Sequence, residues 1–340
     1  MQTWATAFAG YTNGAVQTNY QAVGSGSGIT GVLTGLYEFA GSDAPVSASQ
    51  LSDYTANGPF LQIPETLGGV AIFYNVPGVT VSLNFTGPVL AKIYLGTITM
   101  WNDPAIATLN PGCHTGSTTC VLPADTIIPV HRSDGSGTTY ALSNYLSKVS
   151  ADWNSSYATY QGSACSAATP CYGTNLGTFW NANPNAQGAA KSSGVAAYVE
   201  GNSYSLGYAD SFYAFNNGLQ AASIENQAGV FLAPSLSSIA AAANAFSAQV
   251  LANPTFTITN APGAGSYPIS TFTYLLVWAN QKNQQQGYDT AQFFEWIVNQ
   301  GQSQIYGPNL GYPALPTSVV AIDQKIIHQM NYNGVSFTPT

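Results

Sequence analysis

The sequence predicts an α/β protein of two lobes, and three observations predict it. Strand-like and helix-like segments alternate along the chain. Its 340 residues exceed the size at which a single hydrophobic core usually stops growing. Two separate Gly/Ser loops each stand between a strand-like run and a helix-like run.

From the N-terminus, residues 3–12 carry the apolar spacing of an amphipathic helix. Residues 15–23 read as a strand running into Gly24-Ser25-Gly26-Ser27-Gly28, and Ile29, Val32, Leu33 and Leu36 then recur at helical spacing. Residues 37–40 read as a short strand that ends at Ser42-Asp43. The apolar run 69–76, closed by Pro77-Gly78, reads as a buried strand, and 89–94 as a helix before the turn at Gly96. A β-rich run at 126–130 leads into His131-Arg132-Ser133-Asp134-Gly135-Ser136-Gly137-Thr138, after which 140–146 is helical in period. Residues 161–190, low in periodicity and rich in Gly, Asn and Ser, read as a surface excursion before regular structure resumes at 195–199 and 206–209. A strand at 271–278 follows the Pro262-Gly263 turn, helices are expected at 290–298 and 318–330, and the polar tail is expected to fray. No solenoid-length repeat is visible.

Only 6% of residues are charged, against the usual quarter, so Ser, Thr, Asn, Gln, Tyr and Gly must cover the surface. Such groups keep their hydration when carboxylates protonate, which suits extracellular and acidic surroundings. A net charge of −8 with no Lys/Arg cluster excludes nucleic acid as a partner. No apolar run approaches the roughly 20 residues that span a bilayer. The chain opens on a helix-like pattern rather than a basic and apolar leader, so membrane association is expected only through an anchor outside it. The cysteines form two close pairs, Cys113 with Cys120 and Cys165 with Cys171, in loops rich in small polar residues. Local disulfides fit this spacing better than zinc knuckles and place the chain in an oxidising compartment.

The two Gly/Ser loops are where chemistry concentrates, because a loop feeding a helix start offers unpaired N–H groups and a positive helix end to an anion. Ser25 is a hydroxyl donor in the first loop, which alone also reads as a turn or cap. The second loop holds Arg132, the chain's one arginine, beside Asp134, Ser136, Gly137 and Thr138. A forked guanidinium beside a glycine turn suits an oxyanion, while an Arg132–Asp134 pair that only braces the loop is the plainer alternative.

Asp43 is unexpected near anion loops and is read either as a cap or as a selective group. In the selective reading it accepts a hydrogen bond from a ligand that still carries a proton, as phosphate does near neutral pH and sulfate does not.

These residues resemble the phosphate-binding proteins of phosphate ABC importers, within the type II periplasmic-binding fold. The resemblance runs through Tyr20-Gln21-Ala22-Val23-Gly24-Ser25, Gly41-Ser42-Asp43-Ala44-Pro45, Ile93-Tyr94-Leu95-Gly96-Thr97-Ile98 with Trp101-Asn102-Asp103, and Arg132 to Thr138. It continues at Leu206-Gly207-Tyr208, Tyr267-Pro268-Ile269, Phe293-Phe294-Glu295-Trp296 and Leu315-Pro316. It implies lobe I from residues 1–74 and 272–340, lobe II from 75–271, and a ligand cleft between lobes joined by crossing strands near 71–75 and 270–273. It implies that Ser25 donates from the first lobe, Asp43 accepts the phosphate proton and Arg132 makes the charged contact. Ser136, Gly137 and Thr138 then donate from the second lobe, and Asp134 orients Arg132. The partners implied are inorganic phosphate and an ABC importer permease, outside the cytoplasm or at the cell surface, for a chain expected to be a monomer with assembly left open.

One departure is a Gly-rich strand and further anion loop that members of the family usually carry before the helix with which this sequence opens; either the sequence is a truncated one, in which case donors are lost and weaker binding is expected, or another element closes that side of the cleft. No nucleophile with a base, carboxylate pair, metal cluster, G-x-S-x-G elbow or Walker loop stands at motif spacing, so no catalytic residue, cofactor or metal is expected. The rival readings are a phosphate-ester hydrolase and a surface structural protein that kept the fold after losing transport.

Overall fold

The computed structural model describes residues 1–162, 172–216 and 218–339 of a mixed α/β protein. The chain divides into two compact units. One comprises Met1–Leu67, Phe246–Thr257 and Phe272–Thr340; the other comprises Gly68–Ala245 and Ile258–Thr271. Strands Phe60–Asn75 and Ser270–Trp278 each carry the chain through a unit boundary.

In the first unit, helix Gln2–Tyr11 turns Trp4, Ala5 and Phe8 inward. The Phe8 ring centre lies 5.0 Å from that of Phe293 and 5.7 Å from that of Trp296, both on helix Gln284–Val298. Each such buried aromatic contributes about 2 kcal/mol of hydrophobic transfer, and the Trp4 indole also donates to the Gly301 carbonyl at 2.9 Å. Strand Phe39–Ser42 pairs antiparallel with Ser270–Trp278, with Phe39 opposite Val277 and Ser42 opposite Tyr274. The Ser42 hydroxyl donates to the Ala44 carbonyl at 2.7 Å and accepts the Ala44 N–H at 3.0 Å. That tight turn ends the strand and places Asp43 at its carboxyl end.

In the second unit, residues 70–75 pair antiparallel with strand Ser205–Asp210. That strand runs parallel to Ile128–Arg132, which runs parallel to Gln187–Ala189 with Arg132 beside Ala189. Ala71, Phe73, Val130, Val195, Ala196, Val199 and Ala209 bury one face of this sheet against helix Lys191–Gly201. A β-carbon at Gly207 would stand 2.8 Å from Val195 and 2.9 Å from Val199, so this close helix–sheet approach needs glycine. Adjacent parallel strands ending at Arg132 and Ala189 feed two helices, Gly137–Val149 and Lys191–Gly201. Ligands of open α/β sheets gather at such carboxyl ends.

Cys113 and Cys120 form the expected disulfide. Cys165 and Cys171 lie outside the described residues. No helix among the described residues is long and apolar enough to cross a membrane.

Several elements differ from the sequence expectation. Residues 15–23 form no strand; they are exposed or half-buried and irregular, because a strand-like segment makes a strand only where an edge receives it. Strand Phe60–Asn75 begins nine residues before the apolar run at 69–76. Gln62, Pro64 and Glu65 hide its first half from a hydrophobicity reading although Leu61 and Ile63 are buried. Helix Ala151–Gln161 is too polar to stand out, and buried Trp153 and Tyr157 anchor it.

Candidate functional site

The second unit assembles a site around Arg132. This residue is only 7% exposed, and its guanidinium is held on two sides. Nε donates to Asp134 Oδ1 at 2.8 Å and Nη2 to Asp134 Oδ2 at 2.6 Å, while Nη1 donates to Ser192 Oγ at 3.1 Å. A guanidinium has five N–H groups; three are used here, which leaves two directed by a locked fork. Burial alone would raise the Asp134 carboxyl, but the hydrogen bonds from Arg132 and the Lys191 N–H outweigh it and hold that carboxyl below its usual range. Asp134 is therefore an ionised brace at neutral pH, and the fork it holds is rigid.

The loop after Arg132 is closed onto the sheet by Tyr208. Its hydroxyl accepts the Arg132 N–H at 3.2 Å and shares a 2.6 Å hydrogen bond with Thr139 Oγ1. Burial pushes this phenol up to about 12, so it keeps its proton and can serve both neighbours. Ser136 is fully buried and caps helix Gly137–Val149, its oxygen accepting the Thr139 N–H at 3.1 Å. In that bond the serine is the acceptor, and its own hydrogen is not consumed. Its backbone N–H donates to the Thr174 carbonyl at 2.8 Å, which ties the loop to residue 174. Gly137 and Thr138 occupy the first helical turn, whose N–H groups have no acceptor within the helix. Arg132, Asp134, Ser136, Gly137 and Thr138 are thus brought together as one anion-receptive loop.

Ser25 and Asp43 belong to the other unit. Ser25 is the first residue of helix Ser25–Leu33, buried and preceded by Gly24 at φ 85, a conformation that favours glycine. One turn on, a β-carbon at Gly28 would touch Ala40 at 3.4 Å, so the helix start lies along strand Phe39–Ser42. Asp43 Oδ1 accepts a hydrogen bond from Thr273 Oγ1 at 2.7 Å. That hydrogen bond ties Asp43 to the neighbouring strand. Nearby stands Glu65, 3% exposed, with Oε2 unpartnered. Burial raises its carboxyl to about 7, the Met1 amino group opposing and Asp43 adding to the rise.

Sequence reasoning missed Thr273, Glu65, Tyr208, Thr139, Lys191 and Ser192. Only Tyr208 lay in a motif that had been singled out; Thr139 directly follows the second loop, Lys191 and Ser192 reach Arg132 and Asp134 by helix packing, and Thr273 reaches Asp43 by strand register within the other unit. His131 stacks on Trp180 with ring centres 4.8 Å apart, and burial lowers its pKa despite the hydrogen bond to the Arg132 carbonyl. Among the described residues no cluster of His, Cys, Asp and Glu could hold a metal ion.

The model of the PBP superfamily domain matches residues 1–300. The phosphate-binding protein PstS of Pasteurella multocida is 36% identical over 324 residues, 95% of this chain and 84% of that protein. The phosphate-binding protein PstS of Xylella fastidiosa is 36% identical over 303 residues, 89% of this chain and 75% of that one. Among solved structures, the high-affinity periplasmic phosphate-binding protein PfluDING, bound with phosphate, shares the fold at a TM-score of 0.68 and 21% identity, over 95% of this chain and 94% of its own.

Proposed function

This chain belongs to the PBP superfamily and, within it, to the PstS phosphate-binding proteins, and from that membership we propose that it captures inorganic phosphate outside the cytoplasm for an ABC importer. The observation that carries the reading is Arg132, nearly buried, braced by Asp134 and Ser192, at the end of the strand whose loop leads into helix Gly137–Val149. A cation locked in that way beside orphan helix N–H groups is built for a small oxyanion.

In this reading Arg132 supplies the charged contact, oriented by Asp134. Ser136 contributes its hydroxyl hydrogen, and Gly137 and Thr138 contribute N–H groups. Ser25 donates from the other unit, and Asp43 accepts the proton that phosphate retains at neutral pH. The protein works as a monomer in the periplasm or at the cell surface, where its importer permease receives the ligand. It binds and releases the ion without breaking a bond.

Isothermal titration at pH 7 tests this. Phosphate is expected to bind with micromolar or tighter affinity and sulfate at least about a hundredfold more weakly, the discrimination expected when a buried acceptor is left without its proton. A silent phosphate titration would overturn the proposal. Turnover of a chromogenic phosphate ester, abolished in Arg132→Ala, would replace it with a hydrolase.

A further inference from the structure

Lys191 opens helix Lys191–Gly201 with φ 62, in the left-handed region. Three of the other non-glycine residues with positive φ are the asparagines Asn13, Asn260 and Asn333, a residue type that tolerates this conformation. A lysine there is strained, and such strain persists only where surrounding contacts impose it. Here the contacts come from the anion-receptive loop. The Lys191 N–H donates to Asp134 Oδ1 at 3.0 Å, and the next residue, Ser192, accepts from Arg132 Nη1 at 3.1 Å.

Charge gives this lysine its significance. The protein carries −8 overall and has six Lys and Arg residues. Within the second unit these are Lys92, Arg132, Lys148 and Lys191. Lys92 faces Asp152 at 3.7 Å. Lys148 is turned inward, donating to the carbonyl and hydroxyl oxygens of Thr259. Arg132 is neutralised by Asp134, so the pair brings direction but no net charge. Lys191 is exposed and, among the described residues, is in no salt bridge. Its ammonium sits on a flexible four-carbon stem whose backbone N–H contacts the loop.

We propose that Lys191 is a further residue of the phosphate site, the net positive charge that draws a dianion to the braced Arg132 loop against the repulsion of the whole protein. This rests on the phosphate-binding reading and deepens it. Arg132 reads the shape of the anion at close range, and Lys191 acts earlier, on its approach. A charge acting at that stage changes the association rate and its salt dependence more than the dissociation rate.

Lys191→Gly separates the charge from the backbone, since glycine keeps the N–H that Asp134 uses and adopts the left-handed conformation without strain. Stopped-flow binding of inorganic phosphate, followed by intrinsic tryptophan fluorescence, is run at about 20 mM and about 200 mM salt, conditions that span strong and weak screening. Lys191→Gly is expected to slow association about tenfold at low salt, with the gap narrowing at high salt, and to leave the melting temperature equal or higher. Lys191→Arg is expected to behave like the parent protein, and Lys191→Glu to be slower than Lys191→Gly. An unchanged association rate and salt dependence in Lys191→Gly would overturn the inference. The same rates read on Arg132→Ala keep the two readings apart. If phosphate binds the parent protein and that variant loses it while Lys191→Gly matches the parent, only the role of Lys191 fails. If the parent protein does not bind phosphate, both fail.

Discussion

Thr273 donates its hydroxyl hydrogen to Oδ1 of Asp43 at 2.7 Å, across a sequence separation of 230 residues. The register that sets Ser42 opposite Tyr274 brings the two residues together at the end of the strand pair. A threonine hydroxyl has one hydrogen, and Thr273 gives it to Asp43; an ionised carboxylate can only accept. In the proposed phosphate site, an aspartate that can only accept is what distinguishes a protonated tetraoxo anion from one without a proton.

Thr273→Val removes that hydrogen bond while keeping the branched shape. A hydrogen bond to a charged group contributes about 1.5–3 kcal/mol, so the preference for phosphate over sulfate is expected to fall by at least about tenfold in paired titrations at pH 7. Thr273→Ser restores the hydroxyl and is expected to recover it. Selectivity that survives in the valine variant would show that Thr273 serves packing alone.

The fork at Arg132 gives a second expectation. Lysine at this position keeps the charge but cannot reach both oxygens of Asp134 and Ser192 at once. Arg132→Lys is therefore expected to weaken phosphate binding by about 10–100-fold, or 1.4–2.7 kcal/mol. Its stability should carry a particular pH signature. The Asp134 carboxyl sits below its usual value in the folded state, so its contribution is present above about pH 4 and is lost only as pH falls through the lower, folded value. The melting-temperature gap between parent and variant should hold steady from pH 7 to about pH 4 and close below that. A gap that closes already between pH 6 and 5 would contradict the brace.

How much of this was legible in the sequence follows from how far each contact reaches. Arg132 through Thr138 was readable because the whole anion loop lies in seven consecutive residues, and the arginine is the only one in the chain. Asp43 was readable as an oddity, but the partner that explains it arrives by long-range strand pairing, which no local pattern encodes. Lys191 was invisible for a related reason: its relevance comes from Arg132 lying beside Ala189 in a parallel sheet, so that a second helix starts beside the first. Residues 15–23 misled in the opposite direction, since a strand-like local sequence does not supply a neighbouring edge. Glu65 stayed hidden because a carboxylate in a strand normally signals exposure, and here it is 3% exposed.

The composition, poor in charge, raised the expectation of acid tolerance, and Asp323 supplies a residue on which to test it. Asp323 is fully buried on helix Thr317–Ile327, neither of its oxygens has a hydrogen-bond partner, and burial pushes its carboxyl up to about 9. Its ordinary value is about 3.9. Between those two values the folded chain holds a proton that the unfolded chain has released, so stability falls as pH rises across that window. The contribution is complete below about pH 4 and is lost as pH climbs through about 9. Asp323→Asn removes the titration while keeping a neutral side chain of the same size, and any packing change it brings is the same at every pH. Calorimetric melting at pH 4, 6 and 8 should therefore show the variant gaining on the parent as pH rises, with the largest advantage at pH 8. A melting-temperature difference that stays constant across that range would mean that Asp323 is already ionised in the folded protein, and that its burial is compensated by a partner it does not show here.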